Sequence, residues 1–272
     1  MRLLLLFVVI LFPAFTSPLA AQDKPRVLVL TQSKGFVHDV VKDKNGQPSV
    51  VKQVFTQLAD ANDFSVSFIE DVAELTAERL KQTDIVAFYT TGDLPFADGQ
   101  YDTFQQWIEN GGAFLGIHCA TDTLKDHDKY PAMVGATFES HPWNAGDTVT
   151  LKVHDAAHPA AAPYAPSATL KEEIYQFRNL QPDVIQVLIS LDMAKTSKKR
   201  PRHVPVAWIK HQGQGRVFYT SLGHREDVWR SEAFGRHLAG AIRWLMAEDA
   251  ATPNPALHER ETEIAREAAE KS

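Results

Sequence analysis

The segment Gly116-Ile117-His118-Cys119-Ala120-Thr121-Asp122 ends an apolar run on a histidine. A strand that turns sharply at its carboxyl end presents one side chain at the edge of a sheet, where open α/β folds place their sites. A second β-type run, Val217 to Leu222, delivers His224, and Glu226 follows two positions later. His38 comes after a third such run, Val27 to Leu30. Neutral imidazoles offer a nitrogen lone pair near neutral pH, so histidines converging on one crevice suit either metal ligation or proton transfer. His38, His118 and His224 are the candidate ligands, and His118, Glu173 and His224 the candidate catalytic groups. Nitrogen donors favour Zn²⁺ or another divalent transition metal over Mg²⁺, which prefers oxygen.

Other residues can line the same crevice. Glu173 and Tyr175 flank Ile174 in a β-type run and share a face, which could look into the pocket or simply into water. Asp122 lies four residues after His118, so a helical turn would let it orient the imidazole. Thr90-Thr91-Gly92-Asp93 offers Thr91 and Asp93 to a ligand, although Gly-Asp is also ordinary turn chemistry. Gly135 to Trp143 reads as a polar and aromatic loop. In it His141 is a further ligand candidate, and Trp143 either stacks on a sugar ring or packs. His127, His154, His158, His203, His211 and His258 fall on polar stretches and read as surface residues.

The elements that must position these groups follow from periodicity. Arg26–Thr31, Phe64–Ile69, Asp84–Tyr89 and Ala113–Ile117 are short apolar runs, as expected of parallel strands covered on both faces. Between them, Ser49–Ala61 has helical spacing, a short helix starts at Thr76, and Tyr101, Phe104, Trp107 and Ile108 make one helical face stopped by Gly111-Gly112. Such alternation predicts βαβ units and a doubly wound, mainly parallel sheet flanked by helices. After about Asp147 the runs Thr148–Val153, Leu170–Phe177, Val184–Leu191, Val204–Ile209 and Arg216–Leu222 follow without a long helix, predicting antiparallel additions. Ser231–Ala247 closes the domain as a helix.

Met1-Arg2, an apolar stretch from Leu3 to Phe15 and the Ala20-Ala21 exit describe a secretory signal peptide over residues 1–21. The stretch is shorter than the ~20 apolar residues a membrane span needs, so no stable membrane insertion is expected once it is removed. A single domain over 22–248 and a charged tail over 249–272 complete the chain. With 28 basic and 34 acidic residues the net charge is −6, which leaves no electrostatic footprint for nucleic acid. The basic run Lys195–Arg202 reads as a solvated loop. One cysteine forbids an intramolecular disulfide.

Class I glutamine amidotransferases end a strand in Gly-x-Cys-x-Gly and later supply His-x-Glu. Here His224-Arg225-Glu226 fits the second half, but His118 occupies the nucleophile position and Cys119 falls one place late. Adding Lys34-Gly35-Phe36-Val37-His38-Asp39, Thr90-Thr91-Gly92-Asp93, Glu173-Ile174-Tyr175 and Gly215-Arg216-Val217-Phe218-Tyr219 makes the likeness specific. From about Arg26 to Met246 the chain resembles the ThuA-like family (trehalose-utilisation type), a branch of that superfamily without the usual thiol. The resemblance implies a flavodoxin-like, class I glutamine amidotransferase-like fold and a carbohydrate substrate class, a glycoside or a keto-sugar. With the histidines and the signal peptide read above, the leading expectation is an enzyme acting on it in the periplasm or outside the cell. With His118 at the nucleophile position, where an imidazole cannot serve as the usual thiolate, no glutaminase activity is expected. A non-catalytic sugar-binding module and a cysteine hydrolase using Cys119 with His224 and Glu226 are the competing expectations.

Overall fold

The computed structural model describes residues 24–196 and 203–247. The expected signal peptide, the charged tail with His258 and most of the basic run lie outside the described residues. In chain order, β1 (Arg26–Leu30), α1 (Val50–Asn62), β2 (Ser65–Ile69), α2 (Ala77–Lys81), β3 (Ile85–Phe88), α3 (Gln100–Glu109) and β4 (Ala113–Ile117) alternate as expected. Then come α4 (Tyr130–Val134), β5 (Thr137–Trp143), β6 (Thr148–Val153), β7 (Ser167–Lys171), β8 (Ile174–Arg178), β9 (Gln186–Leu191), β10 (Pro205–Gln212), β11 (Gly215–Thr220), α5 (Glu226–Trp229) and α6 (Glu232–Met246). Side-chain caps open the main helices: the hydroxyls of Ser49, Thr76 and Ser231 accept from Lys52 N, Arg79 N and Phe234 N.

The large sheet has the order β2-β1-β3-β4-β11-β10-β9-β6-β7. Its first five strands are mutually parallel, and β10, β9, β6 and β7 extend it with antiparallel pairs. The fold is therefore mixed α/β, with helices on both faces of the parallel block. Strand residues alternate between the two cores they fill. Val27, Ile85, Leu115 and Phe218 pack with α1 and α6, whereas Leu28, Val86, Phe114 and Val217 pack with α2, α3 and α4. Because β1, β3, β4 and β11 run the same way, their carboxyl ends and the loops that leave them share one edge. No helix among the described residues is long and apolar enough to cross a membrane.

Two expectations change in the second half. The run Leu170–Phe177 is not one strand. It breaks at Glu172-Glu173, with β7 in the large sheet and β8 in a separate antiparallel pair with β5. Both glutamates are buried at that corner, where their carboxylates have partners that a continuous strand would deny them. Gly135–Trp143 is likewise no loop, since most of it is β5, whose ladder bonds to β8 were invisible without knowing its partner.

Two histidines sit deep in the domain. His158, expected at the surface, is 7% exposed, and His237, which polarity alone did not single out, is fully buried on α6. Ala160 bridges them: its N–H donates to His158 Nδ1 at 3.2 Å, and its carbonyl accepts from His237 Nδ1 at 2.6 Å. Gly240 lets this segment lie against α6, because a Cβ there would meet the Pro159 and Ala160 backbone. Burial pushes both imidazoles down to about 4 from the usual 6.5. The unfolded chain therefore binds more protons between these values, and stability should fall as pH drops from 6.5 to about 4. The loss should be roughly 3 kcal/mol for His237 and should level off below that range. Urea unfolding of wild type and His237→Gln across this window checks it. The variant should be less pH-sensitive.

Candidate functional site

Four side chains from four separate loops meet at the carboxyl edge of the parallel strands. His38 follows β1, His118 follows β4, His224 follows β11, and Glu173 occupies the corner between β7 and β8. One ligand atom from each lies within 4.8 Å of the others. The ring centroids are 5.0 Å apart for His38 and His118, 5.2 Å for His38 and His224, and 5.4 Å for His118 and His224. His38, His118 and Glu173 are buried, and His224 opens partly to solvent.

Local structure aims each one. His118 has φ 47°, a left-handed conformation that costs a non-glycine residue strain. Its carbonyl accepts from Tyr219 Oη at 2.6 Å, which holds the turn. Its Nδ1 lies 2.7 Å from Ser221 O. A carbonyl can only accept, so Nδ1 carries the hydrogen and Nε2 carries the lone pair. That lone pair faces Glu173 Oε1 at 3.5 Å. His224 Nδ1 stands 3.2 Å from the same oxygen. His38 Nδ1, His118 Nε2 and His224 Nδ1 are all buried without a hydrogen-bond partner. Three orphaned imidazole nitrogens around one carboxylate are what a cation, or shared protons, would complete.

The electrostatics agree. Burial, reinforced by the neighbouring imidazoles, pulls His38 down to about 2 and holds it neutral. Burial also lowers His118. Burial alone would lower His224 too, but the Glu173 carboxylate more than offsets it and leaves His224 above its usual value. For Glu173 the burial penalty is outweighed by the surrounding imidazoles, of which His224 can bring a proton, so the carboxyl sits below the ordinary range and is ionised.

The remaining sequence candidates divide. Tyr175 joins the cluster, its ring 4.2 Å from that of His118. His141, half-exposed on β5, places Nδ1 3.4 Å from Glu173 Oε2 at the rim. Thr91 instead braces the His38 loop: its buried hydroxyl donates to Phe36 O at 2.9 Å and accepts from Gly35 N at 3.2 Å. Gly92 (φ 73°) is required by close backbone approach, since a Cβ would lie 2.7 Å from Gly35 N. Asp93 is exposed. Asp122 does not orient His118. The turn after β4 is a 3₁₀ helix, in which residues three apart align, and the Asp122 carboxylate pairs with Lys125 at 2.7 Å. Trp143 is buried and donates from Nε1 to Thr196 Oγ1, so it offers no face to a sugar. Cys119 points into the apolar core, where burial pushes its thiol well up, and Glu226 pairs with Arg230. A Cys119–His224–Glu226 arrangement does not form.

The model of the family described as "ThuA: Trehalose utilisation" matches residues 26–245. The chain belongs to this family. A ThuA-like protein from Bacteroides uniformis is similar in structure, with TM-score 0.68 and 20% identity over 85% of this chain and 96% of that one. Another from Parabacteroides merdae has TM-score 0.65 and 16% identity over the same shares. A β-galactosidase from Bacillus circulans sp. alkalophilus matches with TM-score 0.51 and 15% identity over 86% of this chain but 32% of that one. At these identities the likenesses show the fold alone. No curated protein matches the chain.

Sequence reading of this ThuA domain missed Glu172, Ser221 and Tyr219, which touch the cluster only through backbone. Glu172 is fully buried, and burial raises its carboxyl to about 7. Its Oε1 accepts from Glu173 N at 2.8 Å and its Oε2 from Gly223 N at 3.3 Å. It therefore ties the carboxylate corner to the loop that carries His224. The paired acids at the break in a β-type run were the available signal. Glu172→Ala should lower stability by roughly 1–3 kcal/mol through two abandoned buried donors. Glu172→Gln, which keeps one acceptor, should cost less. Urea denaturation of both variants checks the order.

Proposed function

We propose that this ThuA chain is an exported, metal-dependent enzyme acting on a carbohydrate, with a glycoside or keto-sugar as substrate. The observation that carries the metal is the set of three orphaned, buried imidazole nitrogens converging with the ionised Glu173. Nitrogen-rich donors suit Zn²⁺ or a neighbouring divalent transition metal. Such an ion would supply Lewis acidity toward a substrate oxygen or toward water. His38, His118, His224 and Glu173 would hold it, and Ser221 O fixes the tautomer that keeps His118 Nε2 free to ligate. His141, exposed and close to Glu173 Oε2, would stand on the solvent side of that centre. Tyr175 closes the inner wall.

Family membership supports the carbohydrate class. The strand order β2-β1-β3-β4-β11 of the parallel block supports the flavodoxin-like, amidotransferase-like classification. The basic start, short apolar core and Ala20-Ala21 exit support export to the periplasm or beyond. N-terminal sequencing of the mature protein should then begin near Gln22, and a chain that retains Leu3 to Phe15 would contradict export.

Metal analysis and Co²⁺ titration of the purified protein should find one divalent ion per chain. His118→Ala should bind it at least about tenfold more weakly, as expected on loss of a ligand, and should lose turnover of keto-glycosides. A wild type that binds no metal yet turns over a sugar would leave bare histidine acid/base chemistry. Metal and sugar binding without turnover would leave a binding module.

A further inference from the structure

Phe36 lies just before His38 with 65% of its surface exposed. Among the described residues the exposed large hydrophobics are Phe36, its neighbour Val37 and the distant Val184. Leaving a phenylalanine in water forgoes the gain of burying it, and this ring stands beside His38 of the cluster rather than alone on open surface.

The loop is not loose. Lys34 N donates to Thr91 O at 2.8 Å, Gly35 N to Thr91 Oγ1 at 3.2 Å, and Thr91 Oγ1 donates to Phe36 O at 2.9 Å. Phe36 and the two residues before it are thus anchored to the loop after β3. Close contact with Gly92, which only glycine permits, locks the same segment. The scaffold holds the aromatic side chain outward. Its ring centroid lies 4.8 Å from that of His38, at 83°, so it borders the four-residue cluster directly.

We infer that Phe36 is a stacking platform for the apolar C–H face of a pyranose ring whose hydroxyl or carbonyl oxygen reaches the His38–His118–His224–Glu173 centre. The inference rests on the carbohydrate reading of that centre and adds the element that would orient the sugar. A pyranose has an apolar face and a polar edge, and the site has the same division. The aromatic face is at Phe36, and polar groups cluster one ring away. His141 marks another part of the rim, where it approaches Glu173. Phe36 thereby takes the role that Trp143, sealed in the core, does not fill. A protein partner fits less well. Stable interfaces cover ~800 Å² on each side, and two adjacent exposed apolar side chains fall far short of the core such an interface needs.

The test uses the full mature chain, with trehalose and methyl α-D-glucopyranoside as probes and Co²⁺ as an independent readout of the cluster. Saturation-transfer NMR on wild type should show transfer to pyranose C–H protons. Phe36→Ala should weaken sugar binding by about tenfold, the effect of losing one aromatic contact face, while Co²⁺ affinity stays unchanged. Phe36→Trp should restore sugar binding. If Phe36→Ala binds sugar as wild type does, the platform is wrong and the reading of the centre stands. If it loses Co²⁺ together with sugar, the effect runs through His38 and the platform is again overturned. If wild type binds neither pyranoside, the carbohydrate reading itself fails and the platform falls with it.

Discussion

A carboxylate taken out of water needs a counter-charge, and that requirement at Glu173 governs this site. An unpaired buried charge costs several kcal/mol, more than a surface ion pair returns. Glu173 is 7% exposed and ionised, yet two of its near neighbours, His38 and His118, are themselves held neutral by burial. His224 can carry a proton, and its raised pKa shows the carboxylate drawing one. A bound cation would meet the same demand while also satisfying the lone pairs of all three rings. Both solutions require the four side chains to stay where they are. Much of the surrounding structure is therefore concerned with holding loops rather than with chemistry.

The holding is done by backbone. Tyr219 and Ser221 fix His118, Thr91 fixes the approach to His38, and Glu172 joins the corner of Glu173 to the loop of His224. Tyr89 Oη and Trp229 Nε1 both donate to Gly223 O, just before that histidine. The parallel block alone supplies three histidines from one sheet edge. The fourth member comes from the antiparallel extension, where the chain leaves the large sheet for the β5–β8 pair. Adjacent glutamates there meet opposite fates. Glu172, buried against amides, is pushed toward neutrality, and Glu173, buried against imidazoles, is held ionised.

The strands and long helices were readable from periodicity because both faces of the parallel block are apolar and the helices are amphipathic. His38, His118 and His224 were readable because each ends an apolar run, and loops after parallel strands share an edge. Position within a pocket was not readable. Trp143 and Phe36 are both aromatics in polar surroundings, and only tertiary packing buries the first and exposes the second. His237 lies on the inner face of an amphipathic helix, and β5 depends on a partner strand distant in sequence. Asp122 failed for a different reason: the turn it sits on is 3₁₀ rather than α, which changes which residues align.

The same sensitivity to a single residue decides the chemistry at the end of β4. With φ 47° at His118, the chain reverses so that one side chain enters the crevice and the next returns to the core. Had cysteine stood at 118, a thiol would sit among imidazoles and a carboxylate, with bases at hand to ionise it. At 119 the thiol is instead 1% exposed among apolar groups, where burial keeps it protonated. The imidazole that occupies the crevice can ligate or transfer a proton, but it cannot serve as that thiolate would. The turn thus presents an imidazole, and Ser221 O, by claiming the Nδ1 hydrogen, leaves Nε2 as the atom it presents.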